Sequence, residues 1–159
     1  KGFVKPEEML VLNFDGTVVE GSEKASKEYP VHRAVYETRE DVKAVIHTHP
    51  VFATAFAMAG KNIPDNCLIE TSMMLKGVAL AGYAAPGSQE LAESVRPLTR
   101  DNDAVLMQNH GALTMGKDLM AAFNKMEVLE TVAKTVIASR VLGEPVLISE
   151  EELVKMKKR

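Results

Sequence analysis

Short apolar runs separated by polar breaks organise the chain. "MLVLNF", Asp15-Gly16 and "TVVE" predict two short strands around a tight turn, because Asp-Gly tolerates the positive φ that hairpin turns require. After the polar stretch "GSEKASKE" a helix is predicted over 29–39, with Pro30 in its first turn and Val31/Val35 and Ala34/Thr38 forming an i, i+4 face. The β-branched run "VKAVIHTH" predicts a strand. "PVFATAFAMAG" then has helical composition with a stop at Gly60.

In the second half, "VALAGY" predicts another strand, and after the loop "AAPG" Ser88 can cap a helix through "QELAESVR" that Pro97 ends. "DAVLMQNHGALTMG" has the form of a strand, a break at Asn109-His110-Gly111 and a return strand. The longest helix is expected over 117–142: Asp118 caps it, Leu119, Phe123, Met126, Leu129, Ala133 and Val136 line one face, and Gly143 with Pro145 ends it. Ser149 and Glu152 have capping-box spacing for a short last helix. Strands and helices mix without regular βαβ alternation, and no GxGxxG or Walker-type loop occurs, which argues against a nucleotide-binding fold.

Composition narrows the class of function. With 159 residues, 46% hydrophobic and 26% charged, the chain can bury a sizeable core, and one domain over 1–159 is expected. A net charge of −3 offers no basic field for nucleic acid or anionic lipid, and the terminal "KMKKR" is too short to supply one. No apolar run is long enough to span a bilayer, and the one cysteine, Cys67, cannot form an internal disulfide, so a reducing cytoplasm is expected. The chain starts at Lys1 with the loop-like "KGFVKPEE", and a further natural segment ahead of it is expected.

Chemistry concentrates in the four histidines. If "VIHTHP" is extended, His47 and His49 point to one side of the strand while Thr48 points to the other. A catalytic metal site uses roughly three protein ligands and keeps one position open, so a third donor is needed. His110 is the best candidate, since it follows the apolar run "AVLMQN" and precedes Gly111, which permits a sharp turn beside a site. Taken singly, each imidazole is more simply structural or exposed. The HxH pair with a third histidine at a strand-to-glycine break favours a metal. His32, within the predicted helix, is read as packing or hydrogen-bonding locally. A cupin would place a glutamate soon after the second histidine, where "PVFATAFAMAG" has no acid, and an amidohydrolase barrel needs a far longer chain.

With these histidines in place, the chain resembles the class II aldolase/adducin family. The matching stretches are "SKEYPVHRAVYETREDVKAVIHTHPVFATAFAMAG", "GYAAPGSQELAESV", "AVLMQNHGALTMG" and "LETVAKTVIASRVLGEPVLISEEEL", nearly all of the chain together. The resemblance implies an α/β fold, a single three-layer domain whose central, mostly antiparallel sheet is flanked by helices. It implies a divalent metal, usually zinc, held by His47, His49 and His110, and places Glu28 where the family keeps its acid/base carboxylate. On position alone, Glu28 reads as a solvated charge near a helix N-terminus.

The implied reaction is cleavage of a small ketose 1-phosphate, of the L-fuculose 1-phosphate type, to dihydroxyacetone phosphate and an aldehyde. A metal chelated by the carbonyl and hydroxyl oxygens would stabilise the enediolate as a Lewis acid, and a carboxylate beside it would move the proton at the neighbouring carbon. Phosphate-binding positions fall on Gly2, Ser26 and Lys27, the last a departure from the family's serine. The family's tyrosine from a neighbouring subunit has no match, since an ungapped count puts Leu68 there, and Glu70 and Tyr83 become the candidates for the aldehyde end. The resemblance implies a homotetramer with sites between subunits. Alternatives on the same scaffold are an epimerase, a dehydratase, a decarboxylase, or a non-catalytic adducin-like interaction module. The metal histidines disfavour the last, and no His-Ala-Asp-Tyr segment of the epimerase type is present.

Overall fold

A computed structural model describes residues 4–21 and 24–157, with side chains through 156. The first hairpin pairs β1 (Val11–Leu12) with β2 (Val18–Glu20). Its turn is held by Asp15, whose Oδ1 accepts from the Thr17 N–H at 2.8 Å and the Thr17 hydroxyl at 2.7 Å, while Gly16 takes φ +90°. The Tyr29 hydroxyl donates to the Asn13 carbonyl at 2.9 Å and ties this hairpin to α1 (Tyr29–Thr38).

The main sheet has four strands, β3 (Ala44–Thr48), β4 (Val78–Ala81), β5 (Ala104–Met107) and β6 (Gly111–Gly116), in the order β3-β6-β5-β4. Two of its three pairings are antiparallel; β4 and β5 run parallel. Parallel neighbours need a crossover, and α4 (Gln89–Val95) supplies it, capped by Ser88, whose Oγ accepts from the Leu91 N–H at 3.1 Å. The sheet is therefore mixed, flanked by helices on both faces.

Every residue of β5 and β6 is buried, because both of their faces are covered, and this is why their sequences are almost continuously apolar. Alternate side chains divide between two cores. Ala104, Leu106 and Ala112 pack with Ala53 and Phe56 of α2 (Val51–Met58) and with Leu129 and Ala133 of α5 (Leu119–Ser139). Val105, Met107, Leu113 and Met115 pack with Val31 and Val35 of α1 and with Leu91 and Val95 of α4. Among the described residues no helix is long and apolar enough to cross a membrane.

The longest helix buries Met126, Leu129, Ala133 and Val136 of its expected face and departs from it in the first turns. Asp118 caps α5 through the Ala121 N–H at 2.7 Å, but Leu119 and Phe123 are 66% and 44% exposed, and the buried stripe is Ala122, Met126, Leu129, Val132, Ala133 and Val136. Gly116 is the reason. A Cβ there would lie 2.6 Å from Ala122 N and 2.9 Å from Ala121 Cβ, so β6 and the first turn of α5 touch through Ala121 and Ala122. The short α3 (Ile69–Met74) has no counterpart in the sequence reading. Leu68, at its N-cap, offers no capping side chain; the helix rests on tertiary packing, with Thr71 buried. A last helix, α6 (Glu150–Lys157), begins after Ser149, whose Oγ accepts from the Glu152 N–H at 3.3 Å.

Where β5 starts and β6 ends, Asp103 gathers a charged network. Its carboxylate accepts from Lys125 Nζ at 2.7 Å, Arg39 Nη2 at 3.2 Å and the Lys76 N–H at 3.3 Å. Lys125 also donates to the Met115 carbonyl at 3.0 Å and Arg39 to the Thr99 carbonyl at 3.0 Å.

Candidate metal centre and active site

Three imidazoles meet at the other end of those strands. His47 is the fourth residue of β3 and stands opposite Leu113 of β6, while His49 follows the last ladder pair, Thr48 with Ala112. His110 ends the three-residue connection from β5 to β6, in which Asn109 takes φ +56° and the His110 N–H donates to the Met107 carbonyl at 3.0 Å. Ring centroids are 4.8 Å apart for His47 and His110, 5.0 Å for His47 and His49, and 5.2 Å for His49 and His110. One ligand nitrogen from each lies within 4.8 Å of the others, a group that could hold a metal ion.

The protonation of His47 suits that use. A carbonyl can only accept, so the 3.0 Å contact between Nδ1 and the Ala112 carbonyl fixes the hydrogen on Nδ1. The lone pair is then on Nε2, which is buried without a protein hydrogen-bond partner. Burial pushes the His47 pKa down to about 4, opposed by the hydrogen bond to Ala112, so the ring is neutral near pH 7, the form that ligates. Imidazole nitrogens with an adjoining carboxylate are the donor set of zinc and related divalent ions, and the buried, unpartnered His47 Nε2 fits such an ion.

That carboxylate is Glu28. It stands at the N-cap of α1, where the Glu28 N–H donates to Ser26 Oγ at 3.2 Å and the Glu28 carbonyl accepts from the Val31 N–H at 3.2 Å. Its side chain, 13% exposed, turns inward: Oε1 lies 3.9 Å from His110 Nε2, and Oε2 is buried with no protein hydrogen-bond partner. The loop before α4 buttresses this segment, since Gly87, at φ +75°, presses on Lys27 so closely that a Cβ would sit 2.8 Å from the Lys27 carbonyl oxygen.

The remaining expected site residues fall elsewhere. Ser26 and Lys27 are exposed beside Glu28, and Gly2 lies outside the described residues. Tyr83 is 66% exposed, with its N–H donating to Gln108 Oε1 at 3.1 Å. Glu70, on α3, lines a groove of about 390 Å³ together with Glu127 and Thr131 of α5. His32 is half-buried on α1 and is not one of the three clustered imidazoles. Gly111 carries more than the turn expected of it. A Cβ on it would meet His49 Cδ2 at 2.5 Å, the Thr48 carbonyl oxygen at 2.6 Å and His47 Cε1 at 3.4 Å, so His47 and His49 lie directly on its bare backbone.

Residues 1–137 match the model of the Class II Aldolase and Adducin N-terminal domain. The chain is 33% identical over 155 residues to 5-deoxy-D-ribulose 1-phosphate aldolase of Bacillus thuringiensis serovar kurstaki, covering 98% of this chain and 72% of that one. It is also 33% identical over 140 residues to 3-oxo-tetronate 4-phosphate decarboxylase of Escherichia coli O6:H1, covering 85% and 65% respectively. A solved structure of L-fuculose 1-phosphate aldolase superposes with a TM-score of 0.91 at 34% identity, over 99% of this chain and 74% of that one.

Proposed function

Since the chain belongs to the class II aldolase and adducin family, we propose that it is a metal-dependent aldolase acting on a small ketose 1-phosphate of the L-fuculose 1-phosphate type. The products are dihydroxyacetone phosphate and an aldehyde. His47, His49 and His110 hold zinc or another divalent ion, and Glu28 is the acid/base. The observation that carries this reading is the convergence of the three imidazoles with a largely buried carboxylate 3.9 Å from one of them.

A divalent ion held there supplies Lewis-acid stabilisation of the negative charge that develops on the substrate's carbonyl oxygen. The rest is work for the chain. When the carbon–carbon bond breaks, its electron pair stays with the carbon next to the carbonyl, and that carbon must gain a proton; Glu28, protonated, delivers it and recovers it in the condensation direction. Ser26 and Lys27 bring a hydroxyl and a cation to the N-terminal approach of α1, where a phosphate is also favoured by the helix, and Gly2 joins them by family position. The hydroxyl proton on the aldehyde side passes to a base from a neighbouring chain of the proposed homotetramer, for which Glu70 and Tyr83 are the candidates. The proposed setting is the cytoplasm, with the lone cysteine in keeping with a reducing compartment.

The likeness to a decarboxylase supports one competing reading, loss of carbon dioxide from a keto acid phosphate at the same centre. Metal analysis and a coupled assay over a panel of ketose 1-phosphates and 3-oxo acid phosphates separate the two. The aldolase reading expects stoichiometric metal, release of dihydroxyacetone phosphate, and a loss of about 10²- to 10⁴-fold in rate for Glu28→Gln with metal retained. A correctly folded preparation that cannot be loaded with metal, or a loaded one that releases carbon dioxide alone, refutes it.

A further inference from the structure

We infer that Glu130 is a positioning residue for the metal ligand His49, acting through the N-terminus of α2. The inference rests on the metal site proposed above. The residues before α2 are His49 and Pro50, and Pro50, at the N-cap, has no side chain able to accept a hydrogen bond. A helix start needs acceptors for its first N–H groups, ordinarily from Ser, Thr, Asp or Asn at the N-cap. Here the acceptor comes from 78 residues away. The Phe52 N–H donates to both oxygens of Glu130, at 2.9 and 3.1 Å, and the Ala53 N–H donates to Oε2 at 2.8 Å.

The same stretch of α5 grips this turn a second time. Lys134, one turn beyond Glu130, places Nζ 5.7 Å from the centroid of the Phe52 ring. The first turn of α2 is thus clamped to α5, and the Thr54 N–H closes it on the Pro50 carbonyl at 2.8 Å.

His49 depends on this clamp more than the other two ligands do. His47 is within the β3–β6 ladder, and the His110 N–H closes a tight connection on Met107. His49 follows the last ladder pair and is exposed, so its backbone is suspended between Thr48 and the anchored turn that begins two residues later. Pro50, at φ −67° and ψ 137°, passes any shift of that turn straight back to His49. The carboxylate also offsets the partial positive charge of the α2 N-terminus, which begins beside a site meant for a cation.

The test uses the metal-free chain as wild type, Glu130→Ala and Glu130→Gln, titrated with Co²⁺ and Zn²⁺, with the visible spectrum of Co²⁺ and the histidine ring resonances followed by NMR. The expected result is a Co²⁺ affinity about 10- to 100-fold weaker in Glu130→Ala, with altered absorption bands. Glu130→Gln, which keeps one acceptor oxygen, falls between. In the metal-free variants the His49 ring resonances shift while those of His47 and His110 stay. Wild-type affinity and bands in the folded variants overturn the proposal, as does an equal shift of all three histidines, which marks general loosening. Should Glu130→Ala not fold, Glu130→Gln decides by the same criteria. If the wild type binds no Co²⁺, the metal site falls, and the selective His49 shift in the metal-free variants still decides the positioning role.

Discussion

Replacing Gly111 with alanine strikes the metal centre without touching a ligand. The added Cβ lies 2.5 Å from His49 Cδ2 and 2.6 Å from the Thr48 carbonyl oxygen, where ordinary contact begins at 3.4 Å, so a relief of about 0.8 to 0.9 Å is needed on two sides at once. The His49 ring can swing, but the Thr48 carbonyl belongs to the β3–β6 ladder and can yield only if the strands part at Thr48 and Ala112. Parting by 0.8 Å stretches the 3.0 Å contact between His47 Nδ1 and the Ala112 carbonyl to about 3.8 Å, beyond hydrogen-bond range. Metal sites tolerate ligand errors of only about 0.2 Å. Gly111→Ala therefore misplaces both His47 and His49, and a loss of metal affinity of at least about 10- to 100-fold is expected, with overpacking of about 1–3 kcal/mol in the metal-free fold. Gly82→Ala is the control, since a Cβ there meets nothing within 4 Å. Zinc retained after dialysis, Co²⁺ titration and urea unfolding of the metal-free proteins measure the two effects separately. If folded Gly111→Ala holds a full equivalent of zinc with wild-type affinity, the steric reasoning is wrong.

At the far end of the sheet, Asp103→Ala leaves Arg39 and Lys125, with side chains 13% and 19% exposed, facing each other without their shared carboxylate. Arg39 keeps its bidentate pair with Asp41, at 2.6 and 2.7 Å, so the loss falls on Lys125 and stays below the cost of about 3–5 kcal/mol for a buried charge left wholly unpaired; urea unfolding should show a loss of about 1–3 kcal/mol, while zinc affinity below the transition stays at the wild-type value. Metal-free stability should also carry the signature of His47, whose folded pKa of about 4 lies below its ordinary 6.5. Between those values the unfolded chain binds a proton that the folded chain does not, so this contribution is complete above pH 6.5 and is lost as the pH falls from 6.5 to 4. The wild-type stability should therefore drop more steeply than that of His47→Gln across that window and run parallel to it above pH 7; equal slopes throughout would show that His47 is not held neutral by the fold.

The parts of the molecule legible in its sequence are those set by local periodicity. The β-branched run "VKAVIHTH" and the unbroken apolar runs on either side of Asn109-His110 identified β3, β5 and β6, and the period of two put His47 and His49 on one side of a strand. Ser88 and Asp118 were readable as caps because each contacts an N–H three residues on. What the sequence left hidden is set by contacts between distant segments. The stripe of α5 could be phased only approximately, because the close approach at Gly116 decides which turn meets the sheet. Lacking a capping side chain, α3 gave no start signal.

The pairing of Glu28 with His110, across more than 80 residues, and the cap of α2 by Glu130, across 78, leave no periodic trace. The first was reachable only through family resemblance, and the second resembles any glutamate on a long amphipathic helix. This division has a consequence for the metal centre. His47 and His110 are fixed by a ladder and a tight turn that local pattern specifies, whereas His49 and Glu28 each lie at a helix start, where backbone N–H groups must find acceptors outside the helix. Ser26 and Pro50 are the residues that bring the chain into those two starts, with Glu130 closing the second, so substitutions there should disturb the site through geometry while leaving the ligand set intact.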